Sequence, residues 1–173
     1  RGQEGDNWKT DLRDSVPIPD SHSSRPSNPW RKQDWVNRSY MKEEKEFSQA
    51  KTFNLGEEFI HTNHGEDNWF LQIETFDPHE PYFSPQKYKD LYPHSYDGPT
   101  FDWPPYAPVS ETPEEVEHMR MESAALHSMC DRYMGKVIDL FDTYNLWEDT
   151  MLIVNTDHGF LLGEHDWWGK CAM

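Results

Sequence analysis

Residues 150–170 have the sequence T-M-L-I-V-N-T-D-H-G-F-L-L-G-E-H-D-W-W-G-K, in which a short apolar run is followed closely by an acid, an imidazole and a glycine. The apolar run at 151–154 is partly β-branched and predicts a buried strand. Asp157 and His158 come just after it, where open α/β sheets bind ligands, outside the carboxyl ends of their strands. Lys170 follows thirteen residues after Asp157. The stretch therefore predicts a strand that carries a ligand or metal site.

Two interpretations of Asp157 and His158 stay open on spacing alone. A carboxylate next to an imidazole can hold a metal ion. In the other interpretation, Asp157 accepts backbone hydrogen bonds at the strand end and His158 packs beside it. Lys170 is likewise either an anion-binding cation or a solvated lysine. His165 either hydrogen-bonds to a residue of the site without binding the ligand itself, or is a surface residue.

Composition limits the class of protein. The chain has 173 residues, enough for one domain with a core, and its aromatic content of 14% excludes a disordered chain. A formal net charge of −16 argues against a nucleic-acid partner, which needs a basic surface. No run approaches the ~20 apolar residues of a membrane helix, so no membrane partner is expected. The two cysteines do not form a disulfide framework. The compartment stays open, with the cytoplasm preferred because no signal-peptide pattern is present.

The order of predicted elements is that of an α/β protein. Residues 1–38 are rich in proline and predict an irregular surface segment, and residues 39–173 form the α/β portion. One or two helices are expected within 38–63 and a strand at 69–76, whose residues are W-F-L-Q-I-E-T-F. The strand at 151–154 is the last predicted element.

Two further signals lie between these strands. D-P-H-E-P-Y at 77–82 places His79 between two prolines, in a rigid loop after a strand end. A Pro- and Tyr-rich stretch at about 84–111 predicts a packed wall or lid, with disorder as the alternative. Thr112, Pro113 and Glu115 predict the capping box of a long helix with one apolar face, and Asn145 a left-handed residue after its end.

Three stretches together resemble the sulfatases of the alkaline phosphatase superfamily. The family has a strand ending in S/T-D-H/N-G, then L-G-E-H and a lysine, as at 150–170 here. F-L-Q-I-E-T-F-D-P-H-E-P-Y-F resembles the family's strand and P-H-x-P-[YF] loop, and M-E-S-A-A-L-H-S-M-C-D-R-Y-M-G-K-V-I-D-L-F its long helix. The matches cover roughly 52–170 in family order. The implied fold is part of an alkaline-phosphatase-like sandwich, with a central mostly parallel sheet flanked by helices.

The resemblance also implies roles for individual residues. Asp157 and His158 would ligate one divalent cation, with Ca²⁺ preferred from the family and Mn²⁺ or Zn²⁺ possible for an imidazole ligand. Lys170 would contact the oxygens of a sulfate or phosphate group. His79 would contact the transferred group or protonate the leaving oxygen.

The chain departs from the family pattern in two places. It contains no C/S-x-P-S/A-R motif, whose Cys or Ser becomes formylglycine in active sulfatases, and no N-terminal strand with an Asp-Asp pair for the metal. We therefore expect residues 1–173 to be an incomplete segment of one sulfatase catalytic domain, with formylglycine outside it, and to be inactive alone.

Three functions are compatible with these residues. The first is metal-dependent hydrolysis of a small-molecule or carbohydrate sulfate ester by the full-length protein. The second is hydrolysis of a phosphonate monoester or phosphodiester, and the third is a non-catalytic metal- or anion-binding protein that has lost its nucleophile. Neither the oligomeric state nor the organic part of the substrate follows from the sequence.

Overall fold

The structure is a computed structural model that describes residues 16–20 and 28–170, without the side chains of residues 28–30. The α-helices within these residues are α1 (Asn28–Ser39), α2 (Ser48–Asn63), α3 (Gln86–Lys89) and α4 (Pro113–Thr143). The strands are β1 (Leu161–Leu162) and β2 (Trp168–Gly169), and short 3-10 turns lie at Glu44–Glu46, Leu146–Glu148 and Glu164–Asp166. In the described part of the chain, no helix is both long enough and apolar enough to cross a membrane.

Helix α4 begins at the predicted capping box. The Thr112 side chain accepts a hydrogen bond from the Glu115 backbone N–H at 3.4 Å, and the Thr112 N–H donates to the Glu115 carboxylate at 2.8 Å. Asn145, just after the helix, has a left-handed φ of 54°. The predicted apolar face is buried, with Met119, Leu126, Met129, Tyr133, Val137, Leu140 and Phe141 in the core. The sequence thus predicted both the start of α4 and its buried face.

Helix α2 confirms the helix predicted within 38–63. Its buried residues are Gln49, Ala50, Phe53, Gly56 and Ile60. A Cβ atom at Gly56 would lie 2.4 Å from the side chain of Ile73, so only glycine allows residues 69–76 to approach α2 this closely. This close packing fixes the segment that leads to His79.

Helix α1 corrects the prediction of an irregular surface segment over residues 1–38. Residues 16–20 have no regular structure, residues 1–15 and 21–27 lie outside the described residues, and Asn28–Ser39 is helical. The helix is not a surface element either, because Val36 is fully buried and Arg38 is 7% exposed. Pro29 lies in the first turn, where a missing N–H costs nothing, so it did not signal a break.

The central mostly parallel sheet is not confirmed. Within the described residues, the only sheet is the antiparallel pair β1–β2, and neither 69–76 nor 151–154 is a strand. Partly buried and exposed side chains alternate along 69–76, while Met151, Ile153 and Val154 are 82%, 73% and 67% exposed. The two segments have apolar strand composition, but a strand also needs a neighbour to accept its backbone hydrogen bonds.

The Pro- and Tyr-rich stretch is packed, as its aromatic residues predicted. It contains the short helix α3, and its Tyr88 and Phe101 are 5% and 0% exposed. Tyr92 and Tyr96 pack against the same core, and Tyr92 also hydrogen-bonds Ser128 on α4 at 2.7 Å. These contacts exclude disorder and make the stretch one wall of the molecule.

The hairpin β1–β2 ends at Gly169, directly before Lys170, and is hydrogen-bonded to the Pro- and Tyr-rich stretch. Leu161 pairs with Gly169 and Leu162 with Trp168. The backbone N–H of Trp168 donates to the Ala107 carbonyl at 2.9 Å, and its fully buried indole donates to Glu111 at 2.7 Å. The hairpin thus gives Lys170 a fixed starting point.

Candidate active site

The imidazole of His79 and the ammonium of Lys170, which lie 91 residues apart in the sequence, are in direct contact. Lys170 Nζ donates to His79 Nε2 at 2.8 Å. His79 is carried by the loop after residues 69–76, and Lys170 directly follows β2. Two residues that were singled out in separate motifs therefore form one cationic corner.

Glu80 determines how the His79 ring is oriented. His79 Nδ1 lies 2.6 Å from the Glu80 carbonyl oxygen and 3.0 Å from its carboxylate, so Nδ1 carries the proton and Nε2 accepts from Lys170. The Glu80 residue is only 3% exposed, and its carboxylate also accepts a hydrogen bond from the Tyr106 hydroxyl. Burial by itself raises the pKa of Glu80, but the hydrogen bonds from His79 and Tyr106 outweigh it and leave the pKa below its ordinary value. A buried carboxylate therefore stands behind the imidazole.

Tyr106 ties this corner to the hairpin. Its ring centroid lies 6.0 Å from Lys170 Nζ, and its ring atoms face the backbone of Gly169. The same ring meets Phe160 edge-on with centroids 5.7 Å apart. Tyr106 thus contacts the lysine, the hairpin and, through Glu80, the histidine.

Asp157 and His158 form a second, more exposed pair. His158 Nε2 lies 3.1 Å from the Asp157 carboxylate, with side-chain exposures of 44% and 82%. His158 Nδ1 lies 2.9 Å from the Gly159 carbonyl oxygen and donates its proton there. Both ring nitrogens thus lie beside acceptor oxygens, and Nε2 is the one that faces the Asp157 carboxylate.

Phe160 links this second pair to the His79 loop. Two residues after His158, its ring meets Tyr82 edge-on with centroids 6.0 Å apart. Tyr82 itself is 2% exposed and lies three residues after His79. Between the described residues, no hydrogen bond or ion pair joins Asp157 or His158 to His79 or Lys170. The structure brings each pair together and connects the pairs through aromatic packing.

The donor chemistry of Asp157 and His158 fits a shared divalent cation in part. A ligating histidine usually donates its other ring N–H to a carbonyl, as His158 does to Gly159. The separation of 3.1 Å between the nitrogen and the carboxylate oxygen is close to that of adjacent ligands on one ion. However, no group of three or more His, Cys, Asp or Glu residues within 16–20 and 28–170 is arranged to hold a metal. By themselves, these two residues offer one carboxylate and one ring nitrogen to an ion, fewer ligands than a divalent cation requires.

Glu80 and Tyr106 belong to the site but were missed from the sequence. Glu80 stands next to His79 in P-H-E-P, and adjacency to a candidate histidine was the available signal. Tyr106 had no such signal, because its contact with Glu80 depends on how the stretch 84–110 folds back. His165, the other candidate partner, lies exposed in the hairpin turn.

Comparison with known proteins shows that this chain matches a protein family. Residues 4–171 match the family model described as Sulfatase. Choline-sulfatase of Rhizobium meliloti (strain 1021) is 29% identical over 119 residues, 59% of this chain and 23% of that protein. Iduronate 2-sulfatase of Mus musculus is 26% identical over 129 residues, again 59% of this chain and 23% of the relative.

A third relative belongs to the wider superfamily. The multifunctional alkaline phosphatase superfamily protein PehA of Trinickia caryophylli is 36% identical over 56 residues, 32% of this chain and 11% of that protein. The chain thus spans less than a quarter of the length of these curated relatives. No solved structure matches it.

Proposed function

This chain belongs to the sulfatase family, and on that premise we propose that it contributes one wall of the active site of a metal-dependent sulfuric ester hydrolase. The contact of Lys170 with His79 at 2.8 Å carries the proposal. This contact brings together Lys170 and His79, which lie in two different sequence motifs. The family resemblance assigns both residues to the same anionic ester.

Lys170 and His79 would bind the transferred sulfate group. A sulfate ester gains negative charge on its oxygens as the bond to the leaving group breaks, and preorganised cations stabilise that charge. The formal net charge of −16 on the chain repels an anion, so an anion-binding site needs a cation close to it. Once protonated on Nε2, the His79 imidazole beside Lys170 would also pass a proton to the leaving oxygen.

Asp157 and His158 would hold the divalent cation together with ligands from outside residues 16–20 and 28–170. The family favours Ca²⁺, whereas an imidazole ligand suits Mn²⁺ or Zn²⁺. When bound, the cation would neutralise charge on the ester and polarise its oxygens. The half-shell of one oxygen and one nitrogen supports this role but does not identify the ion.

The nucleophile would also come from elsewhere in the protein. The 173 residues contain no C/S-x-P-S/A-R motif, so we propose that formylglycine lies outside them and that they are inactive alone. Residues 69–76 and 151–154 would then become strands of the central mostly parallel sheet by pairing with further segments. Their exposed apolar side chains, among them Phe70 at 85%, support this pairing.

The test is hydrolysis of an aryl sulfate by the protein carrying these residues together with the nucleophile. Lys170→Ala is expected to lower kcat/KM by about 100-fold, as removal of one preorganised charge contact does. Lys51→Ala, which removes the same charge from the exposed surface of α2, is the matched control and should keep the rate. An unchanged kcat/KM in Lys170→Ala would contradict the proposal.

The second candidate function is hydrolysis of a phosphonate monoester or phosphodiester. The match to a multifunctional protein of the alkaline phosphatase superfamily supports it as a candidate, because that superfamily is wider than the sulfatases. The ratio of kcat/KM for an aryl sulfate and a phenyl phosphonate decides between the two. Tight metal binding without turnover of either ester would instead identify a non-catalytic protein. The choline and iduronate names of the relatives leave both small-molecule and carbohydrate sulfates as proposed substrates.

A further inference from the structure

Glu80 is a buried carboxylate in direct contact with the His79 ring. One carboxylate oxygen lies 3.0 Å from His79 Nδ1, and the other accepts a hydrogen bond from the Tyr106 hydroxyl. A carboxylate that is 3% exposed is costly to keep ionised unless its oxygens are satisfied. Both oxygens of Glu80 are satisfied here, so the charge is maintained beside the imidazole.

The contact between Lys170 and His79 has a chemical consequence for anion binding. His79 Nε2 uses its lone pair to accept from Lys170, and a nitrogen with a lone pair cannot also donate to an oxyanion. If both groups are to donate to the same anion, Nε2 must gain a proton, and the ring becomes an imidazolium.

The groups around the ring determine the electrostatic cost of that proton. Lys170, after β2, opposes it by like-charge repulsion, and Glu80, on the same loop, favours it. Tyr106, from the Pro- and Tyr-rich stretch, contacts Glu80, and Phe76 covers the ring face with centroids 4.3 Å apart. Tyr82 is a further titratable group near Glu80, and burial raises its pKa, with the Glu80 charge adding to the rise. Asp77, two residues before His79, is another buried carboxylate, at 6% exposure. Glu80 is the carboxylate in direct contact with the imidazole, and its charge offsets that of Lys170 there.

We infer that Glu80 is a positioning residue whose charge allows His79 to become an imidazolium when an oxyanion binds beside Lys170. One proton is taken from solvent onto His79 Nε2 for each anion bound, and the hydrogen bond from Lys170 to that nitrogen is exchanged for one to the anion. The inference rests on the anion site of the proposed function, but it does not require turnover.

Glu80→Gln separates the charge from the geometry. The His79 Nδ1 proton also reaches the Glu80 backbone carbonyl at 2.6 Å, which the substitution leaves in place. The amide oxygen of glutamine has nearly the same position as the carboxylate oxygen. The ring is therefore expected to keep its orientation and to lose only its countercharge, and circular dichroism checks that the variant folds.

The first measurement is calorimetric titration with inorganic sulfate near pH 7 of the protein that carries these residues together with the nucleophile, in buffers of different ionisation enthalpy. Proton uptake should accompany sulfate binding in the unsubstituted chain. In Glu80→Gln, proton uptake should fall and sulfate binding should weaken about tenfold. This factor corresponds to a tenfold loss of the affinity of His79 for its second proton. Glu66→Gln removes the same charge from an exposed turn and serves as the control.

A second measurement needs no anion. NMR titration of His79 should show that Glu80→Gln takes up the ring proton at lower pH than the unsubstituted chain does. Tyr106→Phe removes one hydrogen bond to the Glu80 carboxylate but leaves the carboxyl group in place, so proton uptake should fall less than in Glu80→Gln. If sulfate fails to bind the unsubstituted protein that includes the nucleophile, the proposed anion site is wrong, while the His79 titration still tests Glu80. Equal titration in Glu80→Gln and the unsubstituted chain, or equal proton uptake with sulfate, would overturn the inference.

Discussion

Gly169 lies directly against the ring of Tyr106. A Cβ atom at position 169 would stand 2.9 Å from ring carbons Cδ1 and Cγ, and the residue has a φ of +104°. Both the close approach and the backbone conformation require glycine. Because Lys170 is the next residue, this contact determines where the lysine leaves the hairpin and how it reaches His79.

Gly169→Ala is therefore expected to destabilise the chain and displace Lys170. A non-glycine residue in this backbone region costs about 1–3 kcal/mol, and the Tyr106 ring must also move. Denaturant unfolding followed by circular dichroism measures the change in the free energy of unfolding, and sulfate titration measures the effect on the anion site.

Gly135→Ala is the matched control for this substitution. Gly135 lies inside α4, and a Cβ atom there would meet no atom within 4 Å. Replacing an interior helix glycine by alanine should stabilise the chain by about 0.5–1 kcal/mol. If the two variants changed stability in the same direction, the explanation given for Gly169 would be wrong.

Arg38 provides a second prediction, because it is buried between two carboxylates. Its guanidinium lies 2.6 Å from Asp34 and 2.5 Å from Asp102, and it stacks over the rings of Trp35 and Phe83. Arg38→Met removes the cation while keeping an apolar stem of similar length. Breaking a buried ion pair in this way should cost about 3 kcal/mol of unfolding free energy.

Chemical denaturation tests this cost against an exposed ion pair. Lys45 lies 2.7 Å from Glu43 with both side chains largely exposed, so Lys45→Met should change the unfolding free energy little. A small effect of Arg38→Met would mean that α1 is not anchored to Asp102 by this ion pair.

The same helix marks a limit of prediction from sequence. The capping box at Thr112 and the apolar face of α4 are local signals, and both were predicted correctly. Helix α1 has weaker local signals, since its mean polarity is high. Its buried Arg38 is paired with Asp102, which lies 64 residues further along the chain and cannot be read from the local sequence. Prolines near α1 favour an irregular segment, although Pro29 is compatible with the first turn of a helix.

The candidate site shows the same division between local and distant information. His79, Asp157, His158 and Lys170 were named from motifs, and the contact of His79 with Lys170 is a finding of the structure. The roles of Glu80 and Tyr106 arise from packing between segments that are distant in sequence. Residues 69–76 and 151–154 were predicted as strands from composition, but strand pairing depends on neighbours that local composition cannot supply.

His118 gives the stability of the chain a pH dependence. Its Nδ1 lies 2.7 Å from His94 Nε2, and its ring stacks on Tyr96 with centroids 3.8 Å apart. Burial, together with positive charge on His94 and Lys89, lowers the pKa of His118 from 6.5 to about 4. The unfolded chain therefore takes up this proton at higher pH than the folded chain. This contribution to stability is complete above pH 6.5 and is lost as the pH falls from 6.5 towards 4.

Unfolding free energies measured across this range test the assignment to His118. The free energy of unfolding should change by no more than about 1.4 kcal/mol per pH unit from this one group. His118→Phe should reduce that slope while keeping an aromatic ring against Tyr96. The pKa of Glu44 and that of Glu80 are both lowered from 4.5, so their loss of stability begins below pH 4.5 and is separable. His127→Phe makes the same substitution at an exposed position of α4 and should leave the slope unchanged. An unaltered slope in His118→Phe would remove His118 from this role.

Asp157 and His158 give the final prediction, which concerns the proposed cation. Because His158 Nε2 and the Asp157 carboxylate oxygen are 3.1 Å apart and both exposed, an ion added to the 173-residue chain should reach them together. Paramagnetic Mn²⁺ should therefore broaden the NMR signals of residues 157 and 158 at lower concentrations than those of other acidic residues. Asp157→Asn should abolish this preference, since an amide lacks the charge that attracts the ion. Asp67→Asn, in an exposed turn, should preserve it. Uniform broadening across the 32 acidic residues in the unsubstituted chain would show that the pair holds no cation by itself.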